Sequence, residues 1–160
     1  MTKLISQADL SQLAESAQQA DRRRNNLNVH DSVDANVQRL FIATQPETYI
    51  RPHRHSEPHK WEFFMVIQGS MSLLLFSDDG RIEDRIELSA LDVRAVEIPP
   101  NTWHSYTCME EDTVALEIKE GAYTPTPEQD LAPWSPKENT PDTAAYVEWM
   151  KTAKPGDKFN

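Results

Sequence analysis

The chain has a single cysteine, Cys108, among its 160 residues. No disulfide can form within one chain, and no thiolate zinc cluster can be built from it. Basic residues are also scarce: 16 Lys and Arg stand against 26 Asp and Glu, giving a formal charge of −10. Gripping a phosphate backbone needs clustered Lys and Arg. The only such cluster is Arg22-Arg23-Arg24, a short run of the kind that more often ends a solvated helix. Nucleic acid is therefore not an expected partner. Nowhere does the chain reach the roughly 18 consecutive apolar residues of a membrane span, and its opening, MTKLISQADLSQLAESAQQADRRR, lacks the apolar core of a signal peptide. These absences predict a soluble, cytoplasmic protein with no membrane partner. Internal repeats and low-complexity tracts are missing as well.

The length suits one domain, and a hydrophobic content of 38% is compatible with a sizeable core once the tails are discounted. Residues 6–21 read as an amphipathic helix, with Ser6 and Asp9 as its cap and Leu10, Leu13, Ala14 and Ala17 at helical spacing. From about residue 37 the texture changes to short Val-, Ile-, Leu- and Phe-rich runs, broken by turn signals at SDDG (77–80) and PPNT (99–102). Eight strands are predicted: VQRLFIAT, ETYIRPHRH, WEFFMVIQG, MSLLLFS, RIEDRIEL, RAVEIPP, HSYTCM and TVALEIKE. Many short strands without intervening helices indicate an all-β sandwich or barrel. After Gly121 the proline-rich stretch YTPTPEQDLAPWSPKENTP should wrap the surface, because proline sustains neither a helix interior nor a central strand. A last helix is expected from Pro141, capped by Thr140, with Tyr146, Trp149 and Met150 on one face. The expected organisation is an N-terminal helical arm over 1–36, a barrel over 37–121 and a tail over 122–160.

Chemistry concentrates in PHRHSEPHKWEFFMVIQG, residues 52–69. Alternate strand residues share a face, so His53 and His55 should point the same way. Neutral imidazole ligates zinc, iron, nickel, copper or manganese, and a nearby carboxylate adds a harder oxygen. Glu62 is the candidate carboxylate, brought back by the short SEPHKW loop, and His104, after the PPNT turn, is the candidate fourth ligand. His59 and Glu57, in the loop, are alternatives to Glu62, although lone loop residues of these types are more often solvated. Strand parity backwards from His53 puts Arg51 and Tyr49 on the inward side, provided Pro52 introduces no bulge. Arg51 would then be a clamp for a ligand carboxylate or phosphate. Tyr106 and Cys108 share the parity of His104, and Cys108 reads as a buried small residue rather than a nucleophile. Tyr49, Tyr106 and His30 are the candidates for proton transfer beside a metal.

The spacing of these residues resembles the two motifs of the cupin superfamily. His53-x-His55 precedes Glu62, six residues and Gly69, and Pro99-Pro100-Asn101-Thr102-Trp103-His104 is similar to the second motif, P-x-G-x-x-H. Asn101 stands in place of the second-motif glycine, and both residue types tolerate a left-handed turn. Cys108 replaces the asparagine that often closes that motif, and six residues, rather than three or four, separate His55 from Glu62. Over residues 22–138 the chain resembles one branch, the WbuC-type cupin metalloproteins, through RRRNNLNVH, VQRLF, TYIRPHRH, IPPNTWH, EIKEGAYTP and APWSPKE.

The resemblance implies an all-β double-stranded β-helix, a jelly-roll barrel, flanked by an N-terminal helix and an irregular or helical C-terminal tail. It further implies one divalent transition metal, of the Zn, Fe, Ni or Mn type, held by His53, His55, Glu62 and His104. The function expected is binding of, or action on, a small polar ligand such as a sugar or sugar-derived acid, as a metal-dependent isomerase or epimerase. An Fe(II) dioxygenase and a non-catalytic binding module are the alternatives, since cupin folds host all three. The partner expected is a small molecule, with a homodimer as the assembly compatible with the chain.

Overall fold

The computed structural model describes residues 2–160. Helix α1 (Gln7–Gln19) begins where Ser6 and Asp9 form a reciprocal cap: the Ser6 hydroxyl accepts the Asp9 N–H, and the Asp9 carboxylate accepts the Ser6 N–H at 2.7 Å. The apolar stripe Leu10, Leu13, Ala14 and Ala17 is buried against Ala43 and Val114. Helix spacing in the sequence thus becomes packing against the outside of a sheet.

That sheet has five antiparallel strands in the order β1-β2-β8-β3-β6, and a second has three in the order β5-β4-β7. The strands are β1 (Arg24–Asn28), β2 (Val37–Thr44), β3 (Glu62–Gln68), β4 (Ser70–Phe76), β5 (Ile82–Ser89), β6 (Ala95–Ile98), β7 (Trp103–Cys108) and β8 (Thr113–Glu120). Alternation decides what faces inward. On β3, Glu62, Phe64 and Val66 are buried while Phe63 and Met65 are half-exposed. Phe64, Leu73, Ile98 and Tyr106 meet in the core of the barrel.

β7 is buried at every position. Its inward residues face the barrel, and its outward Trp103 lies in a second core outside the barrel with Phe76, Tyr146 and Met150. This second core seats helix α2 (Asp142–Thr152) and the tail on the three-stranded sheet. The fold is therefore the expected jelly roll with an N-terminal helix and an irregular, then helical, tail. No helix among the described residues is long and apolar enough to cross a membrane.

Three local expectations are corrected. ETYIRPHRH is not a strand: it joins the ladders only through His53, which bridges to His104 and to Leu131. Pro52 has no N–H to donate, and its carbonyl turns outward to accept the Ala132 N–H at 2.9 Å. Conversely, RNNLN forms β1, within the arm expected to be helical. It lacks an apolar alternation because it is an edge strand paired with β2 alone. At α2, Pro141 has helical angles, but the Thr140 hydroxyl donates to the Lys137 carbonyl instead of capping the helix.

Among the residues with left-handed backbone, two belong to the motif segments. Asn101 has φ 61°, as its place in the motif predicts. Gly69 has φ 76°, and a Cβ there would stand 2.4 Å from the Thr113 Oγ1. Gly69→Ala should therefore cost about 2 kcal/mol or more, combining an unfavourable φ with a steric clash. Chemical denaturation would check this, and a variant as stable as the wild type would show that the β3–β4 turn relaxes freely.

Candidate metal centre

Glu62 opens β3, and its Cα pairs in register with Lys119 on β8 and Ile98 on β6. Its carboxylate is buried and meets two imidazoles: Oε1 lies 3.0 Å from His55 Nε2, and Oε2 lies 3.0 Å from His104 Nε2. His104 arrives from β7. His53 is brought alongside by the bridge in which the His53 N–H donates to the His104 carbonyl at 3.0 Å and the His104 N–H returns the bond at 2.9 Å. The ring centroids of His53 and His104 are 4.5 Å apart.

His53, His55, Glu62 and His104 each offer a ligand atom, and these atoms all lie within 4.8 Å of one another. Donors around one ion with bonds near 2.1 Å are separated by at most about 4.2 Å, so small side-chain movements close the set. Two of the rings are already oriented. His53 Nδ1 lies 2.9 Å from the Arg51 carbonyl, and His104 Nδ1 lies 2.8 Å from the Thr102 carbonyl. A carbonyl only accepts, so each Nδ1 carries a proton and each Nε2 is turned towards the centre. This group can hold a metal ion.

The electrostatics follow from burial and contact. Burial pushes His53 down to about 3, with the neighbouring His104 adding to the fall, so its ring is neutral at physiological pH. Burial would also lower His104, but the Glu62 hydrogen bond and charge outweigh it and raise His104 above its usual value. Glu62 shows the converse: burial would raise it, yet the hydrogen bonds from His104 and His55 hold it well below the usual carboxylate range. Behind Glu62, the Lys119 ammonium lies 3.4 Å from Glu62 Oε1 and 2.6 Å from Glu117 Oε1. Burial would lower Lys119, but the Glu117 and Glu62 carboxylates more than offset it and leave it raised.

A cavity of about 150 Å³ runs inward from His53, Glu62 and His104 between the sheets, walled by Phe64, Leu73, Tyr106 and Glu117. Of the three proton-transfer candidates, Tyr106 alone lines it. Burial, then the charges of Glu117 and Glu62, raise Tyr106 well above its usual value, so its phenol stays protonated. Tyr49 points the other way, into the second core, where its hydroxyl donates to the Pro136 carbonyl at 2.7 Å and its ring packs edge-on against Tyr146. His30 is buried beside β1 and β2, its Nδ1 taking up the backbone of Arg39, and it borders a separate outer groove with Lys119 and Tyr123.

Arg51 does not face the centre. Its guanidinium is buried against the tail, with Nη2 donating to the Ala132 carbonyl at 3.0 Å. The parity count failed at Pro52: Ile50 and His53, three residues apart, line the same cavity, which puts Arg51 and Tyr49 on the opposite side. In the loop, His59 and Glu57 are exposed and lie 3.5 Å from each other, outside the ligand group. Cys108 is buried and its thiol contacts the Glu110 and Thr44 carbonyls; burial raises its pKa, as expected of a packing residue. Lys119 and Glu117 were not singled out in the sequence. The alternation in TVALEIKE gives no signal for them, since Val114, Leu116 and Ile118 form its apolar face; the register that sets Lys119 opposite Glu62 puts both on the face that Glu62 occupies.

Solved structures share this architecture. CapF, solved with the inhibitor 3-isopropenyl-tropolone, aligns with a TM-score of 0.53 and 21% identity over 66% of this chain and 30% of its own. The conserved SPY1581 protein of unknown function from Streptococcus pyogenes gives 0.51 at 8% identity, over 78% of this chain and 91% of its own. KdgF from a Halomonas species gives 0.50 at 18% identity, over 62% of this chain and 82% of its own. The chain spans less than a third of CapF. Likenesses at these identities carry the fold, and the fold is that of a cupin. No curated protein matches the chain in sequence. A family model does match, over residues 5–88, a stretch that includes α1, three of the four clustered residues and strands β1 to β4. By that match the chain belongs to DUF6016, a family described as a domain of unknown function.

Proposed function

We propose that His53, His55, Glu62 and His104 hold one divalent first-row transition metal, and that the protein is a WbuC-type cupin that binds, and acts on, a small polar ligand in the adjoining cavity. The observation that carries this reading is the orientation of the rings. Nδ1 of His53 and of His104 is committed to a backbone carbonyl, which leaves Nε2 of both free for the shared group and sets that of His104 3.0 Å from the Glu62 carboxylate. A buried histidine serving packing alone has no need of two partners in the same ring orientation. The set mixes nitrogen and carboxylate oxygen, a choice suited to Zn, Fe, Ni or Mn. When bound, such an ion polarises a ligand carbonyl or hydroxyl.

The chain's own residues prepare the rest. The His53 ring is neutral without needing to lose a proton. Glu62 is ionised, and Lys119 and Glu117 are held as a charged pair on the cavity wall. Tyr106 keeps its phenolic proton at the inner end and can donate a hydrogen bond to a ligand oxygen there. Ile42, Phe64 and Leu73 exclude water from that end.

Metal analysis of anaerobically purified protein should find about one ion per chain, with His55→Ala and His104→Ala lowering occupancy by at least about tenfold and His59→Ala leaving it intact. Equal loss in all three variants would show the ligand set to be wrong. Oxygen uptake by the Fe(II)-loaded protein would favour the dioxygenase reading. Ligand-induced stabilisation without turnover of any kind would favour a binding module.

Proton competition gives a second test. Metal needs the free Nε2 of His104, whose folded pKa is raised, so protons and metal compete and affinity falls as pH drops. His53, held near 3, contributes nothing to that competition above pH 5 or so. The apparent Kd should weaken by about tenfold per pH unit once His104 is protonated. Calorimetry in buffers of different ionisation enthalpy would check the accompanying proton release, and a Kd independent of pH between about 8 and 5 would contradict it.

A further inference from the structure

The ligand group accounts for three imidazoles and one carboxylate, and Lys119 contacts that carboxylate, but the second carboxylate paired with Lys119, that of Glu117, has no part in the group. Glu117 and Lys119 both point inward from β8, with a 2.6 Å contact between them. Their side chains are only 11% and 25% exposed. A buried ion pair seldom repays its desolvation, and apolar residues at such positions are often as stable or more so. A pair kept at a cavity wall beside a candidate metal centre therefore points to a ligand.

Resting on the metal-centre reading above, we propose that the inner chamber is a binding site for a small monocarboxylate bearing an oxygen on the carbon next to the carboxyl, and that Lys119 sets the selection for its charge. Size is the first argument. The chamber holds about 150 Å³, the volume of a cavity that accepts benzene, so a ligand of about six heavy atoms fills it. Charge is the second. A divalent ion and Lys119 bring three positive charges, Glu62 and Glu117 bring two negative ones, and the imidazole ligands are neutral when coordinating. One positive charge is left in a chamber walled by Ile42, Ile50, Phe64 and Leu73. An uncompensated charge in such surroundings is costly, and a monoanion removes it where a neutral molecule does not.

Chelation is the third argument. An ion that takes six donors would have two positions left by the four protein ligands, which would suit a carboxylate oxygen and the oxygen on the adjacent carbon. Position is the fourth. Lys119 lines the inner chamber together with His53, Glu62 and His104, with its ammonium 3.4 Å from Glu62 Oε1, so its charge acts on whatever binds beside the ligand group. The net charge of −10 gives no long-range attraction for an anion, so selectivity rests on this local arrangement.

The test uses Co(II)-loaded full-length protein, with visible absorption and calorimetry as readouts and three probes of similar size. Lactate has both the charge and the neighbouring oxygen, lactamide lacks the charge, and propionate lacks the oxygen. Lactate is expected to bind at least about tenfold more tightly than either of the others. Lys119→Met should abolish the preference for lactate over lactamide while cobalt stays bound, and Lys119→Arg should retain it. Glu117→Gln, which leaves a second positive charge, should widen the preference. Equal binding of lactate and lactamide by the cobalt-loaded wild type would overturn the proposal, as would an undiminished preference in a folded Lys119→Met protein. Failure of the wild type to bind cobalt would overturn the metal-centre reading itself, and the ligand proposal with it.

Discussion

A carboxylate taken out of water at the mouth of a barrel must be surrounded by donors, and Glu62 is met by three: His55, His104 and Lys119. An unpaired charge at that depth is costly, and removing one partner of a buried pair typically costs about 3–5 kcal/mol. The three donors come from different parts of the chain: the irregular segment after Pro52, strand β7 and strand β8. Satisfying one side chain therefore requires the two sheets to be closed on each other in a single register. The same contacts hold the imidazole nitrogens around one point. Stability and the assembly of the centre thus have a common physical origin.

The segment that carries His53 and His55 shows how much of the centre depends on packing outside the barrel. It is not a strand, and it is held on two sides. β7 receives it through the His53–His104 bridge, and the tail receives it through bonds from the Arg54 N–H to the Asp130 carbonyl and from the Ala132 N–H to the Pro52 carbonyl. Arg54, between the two histidines, pairs with Asp130 and lies over the Trp103 ring at 4.4 Å. Arg51 reaches the same stretch of tail from the other side. The proline-rich tail is thus part of the scaffold of the centre, and the second core under α2 anchors it.

Hydrogen bonding to backbone carbonyls gives the centre its preorganisation. Nδ1 of His53 and of His104 each meet the carbonyl of a residue two positions earlier in the chain, Arg51 and Thr102. Both rings are locked by local geometry, so their orientation does not depend on the distant sheet register that brings them together. The left-handed turn at Asn101, whose N–H donates to the His55 carbonyl at 2.7 Å, ties the two motif segments directly to each other.

Features set by neighbours in the chain were legible in the sequence. The Ser6–Asp9 cap, the stripe from Leu10 to Ala17, most of the strands, and the turn at Asn101 all depend on periodicity or on a permitted φ, which adjacent residues decide. The convergence of His53, His55, Glu62 and His104 was legible as spacing, because two of them share a strand-like face and the other two begin strands. What the sequence could not carry was the direction of side chains where regular structure stops. Parity presumes an unbroken strand, and at Pro52 the missing N–H and the pull of the tail shift it, which turns Arg51 and Tyr49 away from the cavity. β1 was hidden because an edge strand needs no apolar alternation. The pair Glu117 and Lys119 was hidden because nothing local distinguishes a charge on the solvent face of a strand from one aimed inward. Only the register of β8 between β2 and β3 decided that these two charges enter the barrel, since pairing Lys119 opposite Glu62 is a property of the closed sheet.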